Sequence, residues 1–186
     1  MPEHSTNADL RTPHTTMKNI CTLTLCALLL AVRPVAAAEN VSLVYPTTDE
    51  PSFVVDVPSD WELTKAEEQG DYFHLDGPTG AVFSMRTIPG SEDALAESMK
   101  NCLSNVGEKF DDIELGDAQD WTPSGMTGFF AVGDAKEKSS GKNVRLAFAW
   151  CALPNEQIAE LWFVTDADDK QGMDQANKIV NSLQAP

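Results

Sequence analysis

The stretch KNVRLAFAWCAL, Lys142–Leu153, alternates more strictly than any other in the chain. Val144, Leu146, Phe148 and Trp150 fall on one side, and Arg145, Ala147, Ala149 and Cys151 on the other. A period of two residues is that of a β-strand, so this segment predicts a long strand with large side chains on one face and small ones on the other. Downstream, Ile158–Val164 is apolar on both faces apart from Glu160. That is the pattern of a central strand covered on both sides. Upstream, Met126–Gly133 reads as a further strand and Ile113–Trp121 as a weaker one.

Nearer the start, Phe53, Val55 and Val57 alternate with Val54 and Asp56, and Pro58 ends the strand. Tyr72–Asp76 and Ala81–Ile88 flank the turn residues Gly77-Pro78-Thr79-Gly80, as the arms of a hairpin do. Two helices complete the pattern. Ser91 is a good N-cap, with Glu92 and Asp93 where the helix dipole favours negative charge. Leu95, Met99, Cys102, Leu103 and Val106 form one buried stripe, and Gly107 is placed to end that helix. The second helix, Met173–Leu183, has the stripe Met173, Ala176, Ile179, Val180 and Leu183. The expected fold class is α+β, an α/β/α sandwich around a mainly antiparallel sheet of about six strands.

The first 38 residues read as export machinery. After Met17 and Lys18 comes an apolar run of thirteen residues, Ile20–Val32, then Pro34 and the small-residue triplet Ala36-Ala37-Ala38. This is the layout of a signal peptide cut after Ala38. As a helix the run is about 20 Å long, short of the roughly 30 Å hydrocarbon core, so no stable membrane insertion is expected after cleavage. The expected organisation is residues 1–38 as an extension and cleaved signal peptide, 39–51 as a polar lead-in, and 52–186 as a single domain. The expected location is periplasmic or secreted.

The chain has 13 basic and 29 acidic residues. Removing Arg11, Lys18, Arg33, Glu3 and Asp9 leaves 10 and 27, a net charge of −17. Such a surface repels nucleic acid. Cys21 and Cys26 leave with the signal, and Cys102 and Cys151 remain. In an oxidising compartment two cysteines suggest one disulfide, Cys102–Cys151, with the small residues Ala147 and Ala149 letting the first helix approach; the alternative is a pair of separate buried thiols.

The opening F-x-V-x-x-P-x-x-W of PSFVVDVPSDWEL and the closing I-V-x-S-L of ANKIVNSL resemble the PsbP/DcrB-like family, whose fold the Mog-type Ran-binding proteins share. The resemblance covers Phe53–Leu183. It implies an α/β/α sandwich and a non-catalytic accessory or protein-binding role, with no family catalytic residues to carry over. A signal ending at alanines departs from the lipoprotein members, which end at a lipidated cysteine.

Motifs for other chemistry fail on spacing. His74 shares a strand face with Tyr72 and Asp76, about 7 Å away on either side and too far for a tight dyad. From Asp166, the fifth, sixth and twelfth positions of a calcium loop are Lys170, Gln171 and Asn177, the wrong residues; Asp169 serves instead as a helix N-cap. The segment from Gly133 to Asn143 has the wrong spacing for a phosphate loop and lies between strands. No enzyme activity, cofactor or metal is expected, and the chain is expected to be a monomer. The alternatives are an envelope metal-binding protein or hydrolase using carboxylates, and a carrier of a small apolar ligand built on Trp61, Trp121, Trp150 or Trp162. One surface stands out by charge. Lys136, Lys138, Lys142 and Arg145 are four of the ten basic residues, gathered within ten positions with the three lysines at a hairpin tip, and are the expected contact with an acidic protein or envelope partner.

Overall fold

The computed structural model describes residues 39–64 and 70–186. The expected extension and signal peptide, residues 1–38, lie outside them. The chain begins with an antiparallel pair, β1 (Asn40–Pro46) and β2 (Pro51–Pro58). A second sheet contains β3 (Glu62–Thr64), β4 (Phe73–Asp76), β5 (Val82–Pro89), β6 (Phe110–Leu115), β7 (Gln119–Trp121), β8 (Gly128–Glu137), β9 (Asn143–Ala152) and β10 (Gln157–Asp166). Its order is β3-β4-β5-β10-β9-β8-β6, with β7 also on β8, and its pairings are antiparallel. The helices are α1 (Glu92–Lys109) and α2 (Lys170–Asn181). The predicted α+β class holds, with more strands than the alternation alone revealed.

The strand that opened the reading does what its alternation dictates. Val144, Leu146, Phe148 and Trp150 of β9 lie with Cys102 and Val106 of α1 in one core. Ala149 and Cys151 belong to the opposite core, with Phe83, Met85, Leu161 and Phe163. That second core is closed by Phe53, Val55 and Val57 of β2 and by Ala176, Ile179 and Leu183 at the α2 end. One layer is therefore α1, the middle layer is the large sheet, and the other layer is α2 together with the β1–β2 hairpin. Phe53, Phe83 and Met85 are wholly buried, each stabilising the fold by about 2 kcal/mol.

Three local readings change. Residues 39–51 are not a plain polar lead-in, because Tyr45 is buried there. Its ring stacks on Phe53 at 4.7 Å; its hydroxyl donates to the Asp71 carbonyl at 2.7 Å and accepts from Gly70 N–H at 3.1 Å. A strand forms where polar composition hid the alternation of Val41, Leu43 and Tyr45.

The second change is at Gly107, where α1 does not end. It runs on to Lys109, and Phe110 then turns into the core. Two late carbonyls of α1 are answered from the β8–β9 tip: Lys138 Nζ donates to Gly107 O at 2.6 Å, and Lys138 N–H to Lys109 O at 3.0 Å.

The third is at α2, which starts earlier than its apolar stripe, at the Asp169 cap, whose carboxylate accepts from Gly172 N–H at 2.9 Å. Burial would push the Asp169 pKa up, but bonds from Thr165, Thr79 and the backbone outweigh it and hold the group below its usual value.

Candidate functional site

A cavity of about 590 Å³ is a cleft between β1 and the end of the large sheet. Leu63, Phe73 and Leu75 come from one face of β3 and β4, and Trp61 precedes β3. Pairing of β4 with β5 fixes Phe73 and Leu75 on the apolar side, where they lie in the same core as Tyr45 and Phe53. The floor, Phe73 and Leu75, is itself covered, at 1% and 0% exposed, and the part of the cleft that stays open is its rim. Leu63 and Val41 stay 38% and 57% exposed at its rim, which is large for such side chains. Trp61 Nε1 donates to Gln175 Oε1 at 3.2 Å, leaving the indole ring as an apolar wall. Among the described residues the lining contains no Asp, Glu, His, Lys, Arg or Cys. Such a cleft can hold apolar groups.

On the opposite side of the same strands the chemistry inverts. Glu160 of β10 is 2% exposed, and its carboxylate gathers four donor contacts. Tyr72 Oη donates at 2.5 Å, Ser98 Oγ of α1 at 2.9 Å, and Arg86 approaches with Nε at 3.0 Å and Nη2 at 2.9 Å. Ser98 Oγ in turn accepts from Trp150 Nε1 at 2.9 Å, and the Arg86 guanidinium lies 4.5 Å from the centre of the Tyr72 ring. Burial and then the bond to Glu160 push the Tyr72 pKa upward. A carboxylate with this many donors is not free to act as a base. It ties α1 to the sheet. The lone Glu160 in an otherwise apolar strand was the sequence signal for it, since a buried charge demands partners.

His74 gains a neighbour that its own strand could not supply. Across the β4–β5 pairing, Ser84 Oγ lies 2.7 Å from His74 Nδ1. The hydroxyl is buried, and Ser84 is only 4% exposed. A substrate carbonyl cannot approach it there.

The expected disulfide is corrected. Cys102 and Cys151 are both free and lie in the two different cores, on opposite sides of the sheet. Helix α1 covers the large side chains of β9 and not the alanines beside Cys151, because the alanine side is taken by α2 and β2. Burial pushes the Cys102 thiol up to about 12, with the Glu160 charge adding to it, and the Cys151 thiol up to about 11.

The basic tip is largely answered within the chain. Arg145 Nε meets Asp134 Oδ1 at 2.8 Å, Lys142 Nζ meets Asp166 Oδ2 at 3.0 Å, and Lys138 Nζ meets Asp111 Oδ1 at 3.4 Å besides its helix contact. Lys136 lies on β8 opposite Asn143. Of the tryptophans, Trp61 lines the large cleft and Trp150 serves the Glu160 network. Trp162 packs on Phe148, and Trp121 borders a smaller cavity of about 150 Å³. No group of three or more His, Cys, Asp or Glu suited to a metal occurs among the described residues.

No family model and no curated protein matches this sequence. Solved structures do. The Ran-binding protein Mog1p of Saccharomyces cerevisiae superposes with a TM-score of 0.53 at 10% identity, over 80% of this chain and 96% of its own. Cyanobacterial PsbP of Synechocystis gives 0.55 at 11% identity, over 85% and 99%. The chain has the PsbP/Mog-type fold. At such identity the likeness is one of architecture. A Bacteroides thetaiotaomicron structure gives 0.50 at 16% identity, and this chain spans about half of that one, 48%. In this PsbP/Mog-type domain, neither the apolar cleft nor the Glu160 network had been singled out by the two soft motifs at the ends of the sequence.

Proposed function

We propose that this is an exported, non-catalytic binding domain that holds a protein partner in the apolar cleft beside β1. The observation that carries the reading is the rim of that cleft, where Leu63 and Val41 stay exposed beside a lining that, among the described residues, has no Asp, Glu, His, Lys, Arg or Cys. Fold supports it only as far as architecture goes, since Mog1p is by name a Ran-binding protein and the same framework can serve a different partner here. Export rests on the sequence from Met17 to Ala38, and no helix among the described residues is long and apolar enough to cross a membrane. Intact mass of the exported protein is expected to place Glu39 at its N-terminus. A species retaining Leu28–Leu30 would remove the compartment from the account.

The cleft reading is tested in cells with a photo-cross-linking amino acid placed at Leu63 and, as a remote control, at Ile113. Both positions are partly exposed, at 38% and 36%. The expected result is a discrete adduct from Leu63 and none from Ile113. Equal labelling at the two positions, or adducts at Ile113 alone, would contradict the cleft as the binding surface.

A further inference from the structure

The cleft is lined in two patterns. From β3 and β4 its residues come from alternate positions, as side chains of one sheet face do. From β1 they run consecutively, Val41 to Thr48, which is how the edge of a strand lines a space. The register explains it. Glu39 O accepts from Ser59 N–H at 2.8 Å, and Val41, Leu43 and Tyr45 stand opposite Val57, Val55 and Phe53. Alternation of hydrogen-bonded pairs then turns the backbone groups of Asn40, Ser42 and Val44 away from β2. The same alternation shows on β2. Val54 exchanges two bonds with Gln184, at 2.9 and 3.0 Å, and Asp56 N–H donates to Ser182 Oγ at 2.8 Å. The outer edge of β2 is thus closed by the C-terminal residues. The outer edge of β1 has no strand partner among the described residues.

An open edge beside an exposed apolar rim, Val41 and Leu63, is suited to one kind of occupant. A hydrocarbon would cover the rim but leave buried N–H and C=O groups without partners, at a cost in free energy. A helix would offer no donors or acceptors to the edge. An extended peptide satisfies both, pairing its backbone with β1 and turning alternate side chains to the exposed Leu63. Charge narrows it further. From Glu39 to Thr64 the chain has Glu39, Asp49, Glu50, Asp56, Asp60 and Glu62, and neither Lys nor Arg. Resting on the cleft as the binding site, we propose that β1 accepts an extended segment of a partner protein as a third strand of the β1–β2 sheet, apolar at alternate positions and flanked by Lys or Arg.

The probe is a fluorescent peptide of the length of β1, alternating valine and threonine, with lysines at both ends; binding is read by anisotropy. Ser42→Pro deletes an outward N–H at a place where an edge strand tolerates proline. Ser42→Ala controls for the bond from Ser42 Oγ to Asp56 Oδ1 at 2.6 Å. Leu63→Asp charges the rim. The peptide is expected to bind the native protein, with Ser42→Pro and Leu63→Asp each weakening it at least about tenfold. Ser42→Ala is expected to bind like the native protein. A glutamate-flanked peptide is expected to bind less well, by a margin that narrows with salt. N-methylation of alternate peptide residues repeats the backbone test without touching the protein, so a poorly folded Ser42→Pro does not spoil it. If Leu63→Asp weakens binding while Ser42→Pro and N-methylation do not, strand addition is wrong and the cleft still stands. If neither variant matters, or the native protein shows no binding at about 1 mM peptide, the strand proposal falls; the cross-linking result then decides the cleft separately.

Discussion

Strands β4 and β5 carry two opposite surfaces on their two sides. On one side Phe73 and Leu75 form an apolar floor buried under Tyr45 and Phe53, with Leu63 left exposed at its rim. On the other, Tyr72 and Arg86 are drawn onto Glu160, and Ser98 of α1 completes the set. Strand alternation alone separates them, since neighbouring residues must point to opposite faces. The polar side is buried and saturated, and it spends its chemistry on holding α1. The apolar side is packed as well, and only its rim, at Val41 and Leu63, stays exposed. A site that binds is here marked by what the fold leaves unpaired, and the most charged buried cluster is the one with least left to offer.

The largest test of this contrast is Phe73→Ala. Phe73 is fully buried against Tyr45 and Phe53, with ring centroids at 5.7 and 6.3 Å. Its loss is expected to cost about 4 kcal/mol in urea unfolding. A cost below about 1 kcal/mol would mean that the floor is not a packed surface. Next is Glu160→Ala, expected to cost about 3 kcal/mol by stranding Arg86 beside Tyr72. Replacing both partners, Glu160→Leu with Arg86→Met, is expected to cost less than Glu160→Ala alone. The reverse ranking would make the network more than a clamp.

Asp169→Ala is smaller, about 1 kcal/mol for a lost N-cap. Because the folded protein holds Asp169 below its usual value, the unfolded chain binds the proton more readily, and acid favours unfolding. The contribution is whole above the unfolded value near 3.8 and fades as pH falls through the lower folded one. Thermal melts of native protein and Asp169→Ala are expected to converge at the acid end. Smallest of all is Lys136, Lys138 and Lys142 changed together to Ser. With Lys138 and Lys142 already facing Asp111 and Asp166, partner association and its salt dependence are expected to change little. A slower, less salt-sensitive association would return the tip to the role its charge suggested.

The periodic parts of the fold were legible in the sequence. The alternation of Val144–Trp150, the doubly apolar Ile158–Val164 and the Ser91 cap predict β9, a central β10 and the start of α1, and the structure has all three. What escaped was whatever depends on partners far along the chain. β1 was hidden because a strand of seven residues beside Pro46 and Thr47 looks polar until Tyr45 meets Phe53. The disulfide was misjudged because alternation says which residues share a face but not which helix will cover it. His74 and Ser84 lie ten positions apart, and only the pairing of β4 with β5 brings them together. Of the candidate site, the sequence yielded Trp61 and the lone Glu160. The open edge of β1 had no sequence signal, because an edge is defined by the absence of a neighbour.

The most direct measurement is amide hydrogen exchange at Ser42 and Val44, with Val41 and Leu43 as internal references. The account predicts that Val41 and Leu43, bonded to β2, are protected in the free protein while Ser42 and Val44 exchange fast. Adding the lysine-flanked peptide is predicted to protect Ser42 and Val44 and to leave the references unchanged. Protection of Ser42 and Val44 in the free protein would mean that the chain already covers its own edge. Fast exchange at both in the peptide complex would mean that nothing pairs with β1; either result would contradict the claim that this edge is the binding surface.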